Sequence, residues 1–449
     1  MNIIRHSYEK LDILLNPQPL ESEKKYRRFT FCVLANVDGK NIAYNALTCE
    51  LVELEDDELS FLKADFVEPC EEIRELVAKR FLVPIEHDDI QLSDEILGFA
   101  SLLKKDKGLS SYTIFTTLDC NARCFYCYEK GRPRTPMSRE TAFATVDYIK
   151  RTNKSGKVRL NWFGGEPLYN LEVIDIITGE LEKAGIEYSG HITSNGFLFN
   201  DELVEKAVDK WHIDSVQITL DGTEEIYNTS KAYIDCEGKS AFVIVTDNIE
   251  KLLKKKVHVT VRVNLGTHNL HDLYKLVDFV ADRYEGYRNI KMYAHLLFEY
   301  EKNVDVSKRL AEEMIKLEKY MVDKNLGAYT FLESGIVSNH CMADSNSSMG
   351  ITPTGELTKC EHITADDVVG DIDKGVVDKD LFESFKEHGK SKELCYGCSA
   401  YPICIKLKKC PNYGSPVCNE ASRMIEEDHL VHRVERTYRR LINKRKKES

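Results

Sequence analysis

From residue 112 the chain alternates short β-rich runs with stretches of helical patterning. The runs 112–117, 158–162, 190–193, 216–220, 257–263 and 290–295 are separated by helical stretches such as 139–150, 171–183 and 201–210. Six such units predict a parallel sheet, because parallel neighbours are joined through crossover helices. They are too few for a full eight-stranded barrel. Ahead of them, apolar runs at 29–35 and 41–46 precede an acidic helix-like piece at 53–64, and a second helical stretch at 71–80 leads into Phe81-Leu82-Val83-Pro84. After Leu326 the alternation stops, and seven of the fourteen cysteines fall between Cys341 and Cys418. The pattern divides the chain into 1–100, 105–325 and 326–430, the last a separate metal domain joined through the helical stretch 307–324. A charged helix and tail follow over 431–449.

Composition narrows the class. With 449 residues and 42% hydrophobic content, the chain can bury sizeable cores in about three domains. A formal net charge of -12 argues against nucleic-acid binding, which needs clustered positive charge to neutralise phosphates. The basic run Lys444-Arg445-Lys446-Lys447, after the helical stretch 423–442, is expected to be a solvated fray. The start lacks an apolar export segment and no run of about 18 apolar residues occurs, so the expectation is a cytoplasmic protein with no membrane partner. In a reducing compartment, fourteen cysteines favour metal or redox chemistry over a disulfide framework.

Three of them, Cys120, Cys124 and Cys127, are spaced Cys-x3-Cys-x2-Cys directly after the first run. They supply three thiolates on one loop, whereas a cubane 4Fe-4S cluster normally takes four cysteine ligands, so one iron is left open. A zinc knuckle or a group of core thiols competes, but zinc usually needs a fourth local His or Cys and none lies nearby. The arrangement resembles the radical S-adenosylmethionine (SAM) family. That resemblance implies that the open iron binds the amino and carboxylate groups of SAM and that the reduced cluster cleaves it to a 5′-deoxyadenosyl radical. It also implies a partial (β/α)6 barrel with its chemistry at the C-terminal strand ends. The motifs land there: Cys120 follows the first run, Gly164 the second, Ser194 the third, Asp221 the fourth and Asn264 the fifth.

The second run ends in Phe163-Gly164-Gly165-Glu166-Pro167, placing two residues without Cβ where backbone must approach a ligand closely. It resembles the Gly-Gly-Glu-Pro motif that cradles the methionine end of SAM. Thr193-Ser194-Asn195-Gly196 and Thr219-Leu220-Asp221-Gly222 carry groups suited to ribose hydroxyls or methionine, with turn capping as the alternative. Arg262 and Asn264 are candidates for the carboxylate or ribose. From the resemblance, Tyr126 is expected over the adenine, with a core aromatic as the alternative. The cofactor-binding expectation is therefore Tyr126, Gly164, Gly165, Glu166, Ser194, Asn195, Thr219, Asp221 and Arg262. No catalytic acid or base stands out.

The C-terminal pattern is Cys341, Gly355 and Cys360, then Cys395-x2-Cys398-x5-Cys404-x5-Cys410, then Cys418. It resembles the SPASM domain, which carries two auxiliary 4Fe-4S clusters in enzymes that modify peptides. One departure is the five-residue spacer 405–409, where the family usually has three. The family's crossed pattern implies one cluster on Cys395, Cys398, Cys404 and Cys418 and another on Cys341, Cys360 and Cys410, the latter with an open iron. Rubredoxin-like or zinc-ribbon ligation is the alternative for Cys395-x2-Cys398. Cys32, Cys49, Cys70 and Cys236 match no motif and read as buried free thiols.

Residues 1–100 resemble the small winged-helix-like leader-recognition domain at the front of many peptide-modifying radical enzymes. The fold expectation is thus α/β: a partial (β/α)6 radical SAM barrel, an N-terminal winged-helix-like domain and a C-terminal iron-sulfur SPASM domain. The functional expectation is an oxidoreductase and peptide maturase holding SAM and three 4Fe-4S clusters. It would act on a ribosomally made, Cys-containing precursor peptide with a leader and form a thioether crosslink. The resemblance implies reduced flavodoxin or ferredoxin as electron donor. The alternatives are an anaerobic sulfatase-maturating, formylglycine-forming enzyme and a non-enzymatic iron-sulfur sensor. A sensor would have no use for Gly164-Gly165-Glu166 beside the cysteine loop.

Overall fold

A computed structural model describes residues 1–7, 15–102, 108–234, 236, 238–297, 304–328, 330–332, 341–362, 365–387, 392–404, 407–410 and 418–448. The N-terminal part contains β1 (Asn2–Arg5), β2 (Tyr26–Arg28), β3 (Cys32–Val37), β4 (Lys40–Asn45), β5 (Leu51–Leu54) and β6 (Leu82–Pro84). Strands β1, β5, β4 and β3 pair antiparallel in that order, and β2 pairs with β6. Phe29, Phe31, Ile42, Leu51, Val52, Leu76 and Phe81 are shut from solvent beneath them. The acidic stretch at 53–64 proves to be two elements. Its first residues finish β5, and the helix Asp56–Lys63 starts behind a capping box in which the Glu58 carboxylate accepts from the Glu55 backbone N–H at 2.9 Å.

Six parallel strands follow: β7 (Ser111–Thr117), β8 (Lys157–Gly164), β9 (Glu187–Ser194), β10 (Ile213–Thr219), β11 (His258–Leu265) and β12 (Ile290–Leu296). They pair in chain order, from β7 to β12. Each lies within three residues of its sequence-based bounds, because the apolar runs that pack under the crossover helices are the strand cores. On β11, Val259, Val261 and Val263 are buried, while Arg262 between them turns to the inner face and lines a cavity. The crossover helices start where the sequence supplies caps: Ser138 Oγ accepts from the Thr141 N–H at 3.1 Å and Asn200 Oδ1 from the Leu203 N–H at 2.8 Å.

The C-terminal part does not stand apart from this sheet, contrary to the sequence expectation. β13 (Ser348–Ile351) pairs parallel with β7, Ser348 opposite Ser111 through Ile351 opposite Ile114. β14 (Glu356–Thr358), β15 (Val368–Asp371) and β16 (Gly375–Val376) continue antiparallel to give ten strands in one sheet. The physical reason is the edge of β7, whose backbone groups would otherwise be left unpaired.

Position 431 is not a boundary either. The last helix runs unbroken over Glu420–Glu448, so the basic run Lys444 to Lys447 is helical while remaining exposed to solvent, as expected. Arg445 Nη2 donates to the Ile3 and Ile4 carbonyls at 3.1 and 2.9 Å, and the Tyr438 hydroxyl donates to Glu53 Oε1 at 2.6 Å. Leu430, Val434 and Tyr438 share one core with Phe31 and Tyr401. Among the described residues no helix is long and apolar enough to cross a membrane.

Candidate active site

The cysteine loop is laced to the end of β8 by backbone hydrogen bonds. Gly165 N–H donates to the Thr117 carbonyl at 3.0 Å and Glu166 N–H to that of Asp119 at 2.8 Å. Gly164 sits at φ +133°, and a Cβ on Gly164 or Gly165 would overlap the Thr117 or Asp119 carbonyl oxygen. Both glycines are therefore demanded by the closeness of two backbones. The loop's own turns add to the frame: Cys120 N–H donates to Asp119 Oδ1 at 2.8 Å and Cys127 N–H to the Cys124 carbonyl at 3.2 Å.

Cys120, Cys124 and Cys127 line one wall of a cavity of about 240 Å³ at the C-terminal ends of the parallel strands. Burial pushes the Cys120 thiol up to about 12, and burial likewise raises Cys127. The Cys120 sulfur accepts from the Ala122 N–H at 3.3 Å and from Asn195 Nδ2 at 3.7 Å. Asn121 Nδ2, buried in the same loop, has no hydrogen-bond partner among the described residues. Soft ligands gathered with surplus N–H donors fit an anionic iron-sulfur cluster better than a set of neutral thiols. Among the described residues no three His, Cys, Asp or Glu side chains converge on a single-ion site.

Tyr126, Gly164, Gly165, Ser194, Asn195, Thr219 and Arg262 line the same cavity, as does Asn264. Glu166 and Asp221 do not. Glu166 is wholly buried, and its carboxylate accepts from Ser194 Oγ at 2.8 Å, Asn195 N–H at 2.7 Å and Leu168 N–H at 3.2 Å. Burial pushes it up to about 7 against those donors. Its place is to clamp the end of β9 to the end of β8. Asp221, also wholly buried, accepts from the Asn264 N–H at 2.9 Å and the Tyr126 hydroxyl, and pairs with Lys231 Nζ at 3.2 Å.

Several lining residues carried no sequence signal. Lys231, the last residue of the helix Glu224–Lys231, is buried and donates to the Tyr126 hydroxyl at 2.7 Å. Burial opposes its charge, but Asp221 holds the ammonium well above the usual lysine range. Glu361 and His362, next after Cys360, close the cavity from the C-terminal side. Burial raises the Glu361 carboxyl, opposed by Arg262, while burial and the Arg262 and Arg132 charges draw His362 down to about 4. Glu129, pushed up to about 7 by burial, has one oxygen with no partner among the described residues. Gln217 was legible in principle, two residues before Thr219 on the same strand face.

The other cysteines fall into two neighbourhoods. Cys360, raised to about 12 by burial, also feels Cys341 and Cys410. Cys398, likewise raised to about 12, feels Cys404, and Cys395 and Cys404 both act on Tyr401. Cys418 lies ahead of the helix Glu420–Glu448, whose Glu427 accepts from Ser399 N–H at 3.0 Å. The first two residues of the spacer 405–409 lie outside the described residues.

Residues 114–280 match the Radical SAM superfamily. An uncharacterized protein of Methanocaldococcus jannaschii is 29% identical over 122 residues, which is 26% of this chain and 40% of that protein. A GTP 3',8-cyclase of Clostridium perfringens is 27% identical over 296 residues, 61% of this chain and 87% of its own length. Among solved structures, anSMEcpe with bound AdoMet and Kp18Cys peptide superposes with a TM-score of 0.55 at 16% identity, over 74% of this chain and 98% of that one. Streptococcus suis SuiB superposes with a TM-score of 0.50 at 15% identity, over 90% of this chain and all of its own. These two likenesses are of fold. Together with the cysteine loop and the strand-end glycines, the superfamily match establishes that this chain carries a radical SAM domain.

Proposed function

We propose that the protein is a radical SAM enzyme that modifies a Cys-containing precursor peptide by forming a thioether. Cys120, Cys124 and Cys127 would hold a 4Fe-4S cluster, with SAM in the cavity lined by Tyr126, Gly164 and Gly165. When bound and reduced, such a cluster supplies the electron that cleaves SAM to a 5′-deoxyadenosyl radical, which takes a hydrogen atom from the substrate. The single observation that carries the peptide-crosslinking reading is the adjacency of Cys360 and Glu361. One residue belongs to a second cysteine group and the next lines the SAM cavity, so the thiol-rich region and the reacting centre share a wall. Auxiliary clusters on the Cys341, Cys360, Cys410 and the Cys395, Cys398, Cys404, Cys418 sets belong to this reading. So do a leader-binding role for residues 1–100, a flavodoxin- or ferredoxin-type electron donor and a cytoplasmic setting. Support comes from the likeness in fold to anSMEcpe, whose structure includes a bound Kp18Cys peptide.

A second reading is favoured by a specific residue. Glu361 lines the cavity with a carboxyl that burial raises and the Arg262 charge opposes, the kind of proton acceptor that formylglycine formation needs. Product analysis separates the two. Anaerobic protein with reductant, SAM and a Cys-containing peptide should release 5′-deoxyadenosine and yield a peptide with a new sulfur-carbon bond. A formylglycine product would establish the second reading, and no 5′-deoxyadenosine from the wild type would defeat both.

A further inference from the structure

A second cavity, of about 460 Å³, opens between β11, β12 and the helix Glu420–Glu448. Pockets for small ligands span about 300–1,000 Å³. On β11, Thr260 lines it, and Arg262, two residues on along the same face, lines the SAM cavity. Tyr293, opposite Arg262 on β12, links the two: it lines the second cavity, and its hydroxyl donates at 2.8 Å to Gln217 Oε1, which lines the first. The charges inside are unevenly matched. His429 Nε2 stands 2.7 Å from Glu318 Oε2. Burial opposes the charge on His429, yet Glu318 first and Glu426 after it hold the imidazole above the usual histidine range. Arg433 stands two turns beyond Glu426 on the same helix, about 10 Å along the axis. Among the described residues no carboxylate pairs with it, its one hydrogen bond is a long one from Nη2 to the Phe331 carbonyl at 3.4 Å, and Nε is shut from solvent with no acceptor. A guanidinium has five N–H donors. Leaving them so poorly used in a half-buried site is costly unless a ligand accepts them.

We propose that this second cavity binds a carboxylate carried on an apolar peptide segment, with Arg433 anchoring the carboxylate and Met292, Ile403 and Leu430 receiving the apolar flank. The planar guanidinium matches a carboxylate with two parallel N–H donors. The proposal rests on the peptide-modifying reading and deepens it. One part of the substrate, an acidic side chain or the C-terminus, is held behind Tyr293 while another part enters the SAM cavity. Met292 and Leu430 are buried, so an apolar side chain laid against them leaves water.

The test titrates full-length, anaerobically reconstituted protein by ligand-observed NMR, without reductant and with SAM present. Three probes are compared: acetyl-leucyl-glutamyl-leucine amide, with a side-chain carboxylate; acetyl-leucyl-glutaminyl-leucine, with a terminal one; and acetyl-leucyl-glutaminyl-leucine amide, with neither. At least one carboxylate probe should bind about tenfold or more tightly than the neutral amide. Which one does so distinguishes an acidic side chain from a C-terminus. Arg433→Met should abolish the preference and Arg433→Lys should keep part of it. Ala328→Leu, which fills the cavity without touching the charge, should weaken the favoured probe and keeps the test decisive if Arg433→Met does not fold. Equal binding of all three probes by the wild type overturns the proposal. So does a preference that survives in Arg433→Met or undiminished affinity in Ala328→Leu, and so does displacement of the probe by SAM, which would place it in the first cavity. A wild type that keeps the preference but releases no 5′-deoxyadenosine under reductant would overturn the radical reading alone.

Discussion

The ring of Tyr128, next after Cys127, stacks on that of His362, two residues beyond Cys360, with centroids 4.0 Å apart and planes inclined by 30°. This contact joins the cysteine loop of the barrel to the segment that closes the cavity from the C-terminal side. A stacked pair of this kind contributes about 0.5–1.5 kcal/mol beyond its buried area. His362→Ala should therefore raise amide hydrogen exchange in both segments, and His362→Phe should restore protection. Unchanged exchange in the alanine variant would show that the stack does not couple them.

Gly165→Ala should damage the cluster site more than the barrel. The added methyl group would strike the Asp119 carbonyl, and relief can come only by shifting the cysteine loop or the end of β8. Overpacking of this sort costs about 1–3 kcal/mol. The sharper effect is expected in iron content, a loss of about four irons if the displaced loop no longer holds a cube. Full iron content and full SAM affinity in the variant would mean that the close backbone approach is not needed.

The N-terminal residues should prove hard to remove. Phe31 stacks on Tyr401 with centroids 5.6 Å apart and planes 9° from parallel, and Tyr401 donates to Asp94 at 2.9 Å. Tyr401 stands between Cys398 and Cys404, so the N-terminal sheet is packed against a cysteine-bearing turn. Phe31→Ala should cost about 3–5 kcal/mol and, if that turn holds the proposed auxiliary cluster, lower total iron content, with residual iron and thermal midpoint measured together. An unchanged iron count would show that the N-terminal sheet does not support the cysteine-bearing turn.

The cysteine loop and the glycines after β8 were legible because their chemistry is local: spacing alone puts thiols on a loop and backbone against backbone. Glu166 and Asp221 were legible as strand-end carboxylates but not as buried ones, since only the assembled sheet brings Asn195 N–H and Lys231 to them. Lys231 reads in sequence as an ordinary cation at a helix C-terminus. Glu361 and His362 reach the cavity because β13 pairs with β7 across more than two hundred residues, a register no local pattern encodes.

A test at the opposite end of the barrel concerns protonation. His191 on β9 has Nδ1 3.0 Å from Ser215 Oγ, and Arg159 beside it donates to Ser189 Oγ at 2.8 Å and Ser215 Oγ at 2.7 Å. Burial first, and the Arg159 charge second, pull His191 down to about 4. An unfolded histidine titrates near ~6.5. The folded value is therefore the lower one, so as pH falls from about 6.5 towards 4 the unfolded chain binds a proton that the folded chain refuses, and stability is lost over that window. His191→Asn keeps a polar partner for Ser215 and cannot titrate. The wild type should lose more stability than the variant between pH 6.5 and 4.5, by on the order of 1–3 kcal/mol in urea unfolding. Parallel pH profiles for the two proteins would mean that His191 takes up its proton in the fold as readily as in the unfolded chain, and that the Arg159 cluster tolerates a second cation below that pH.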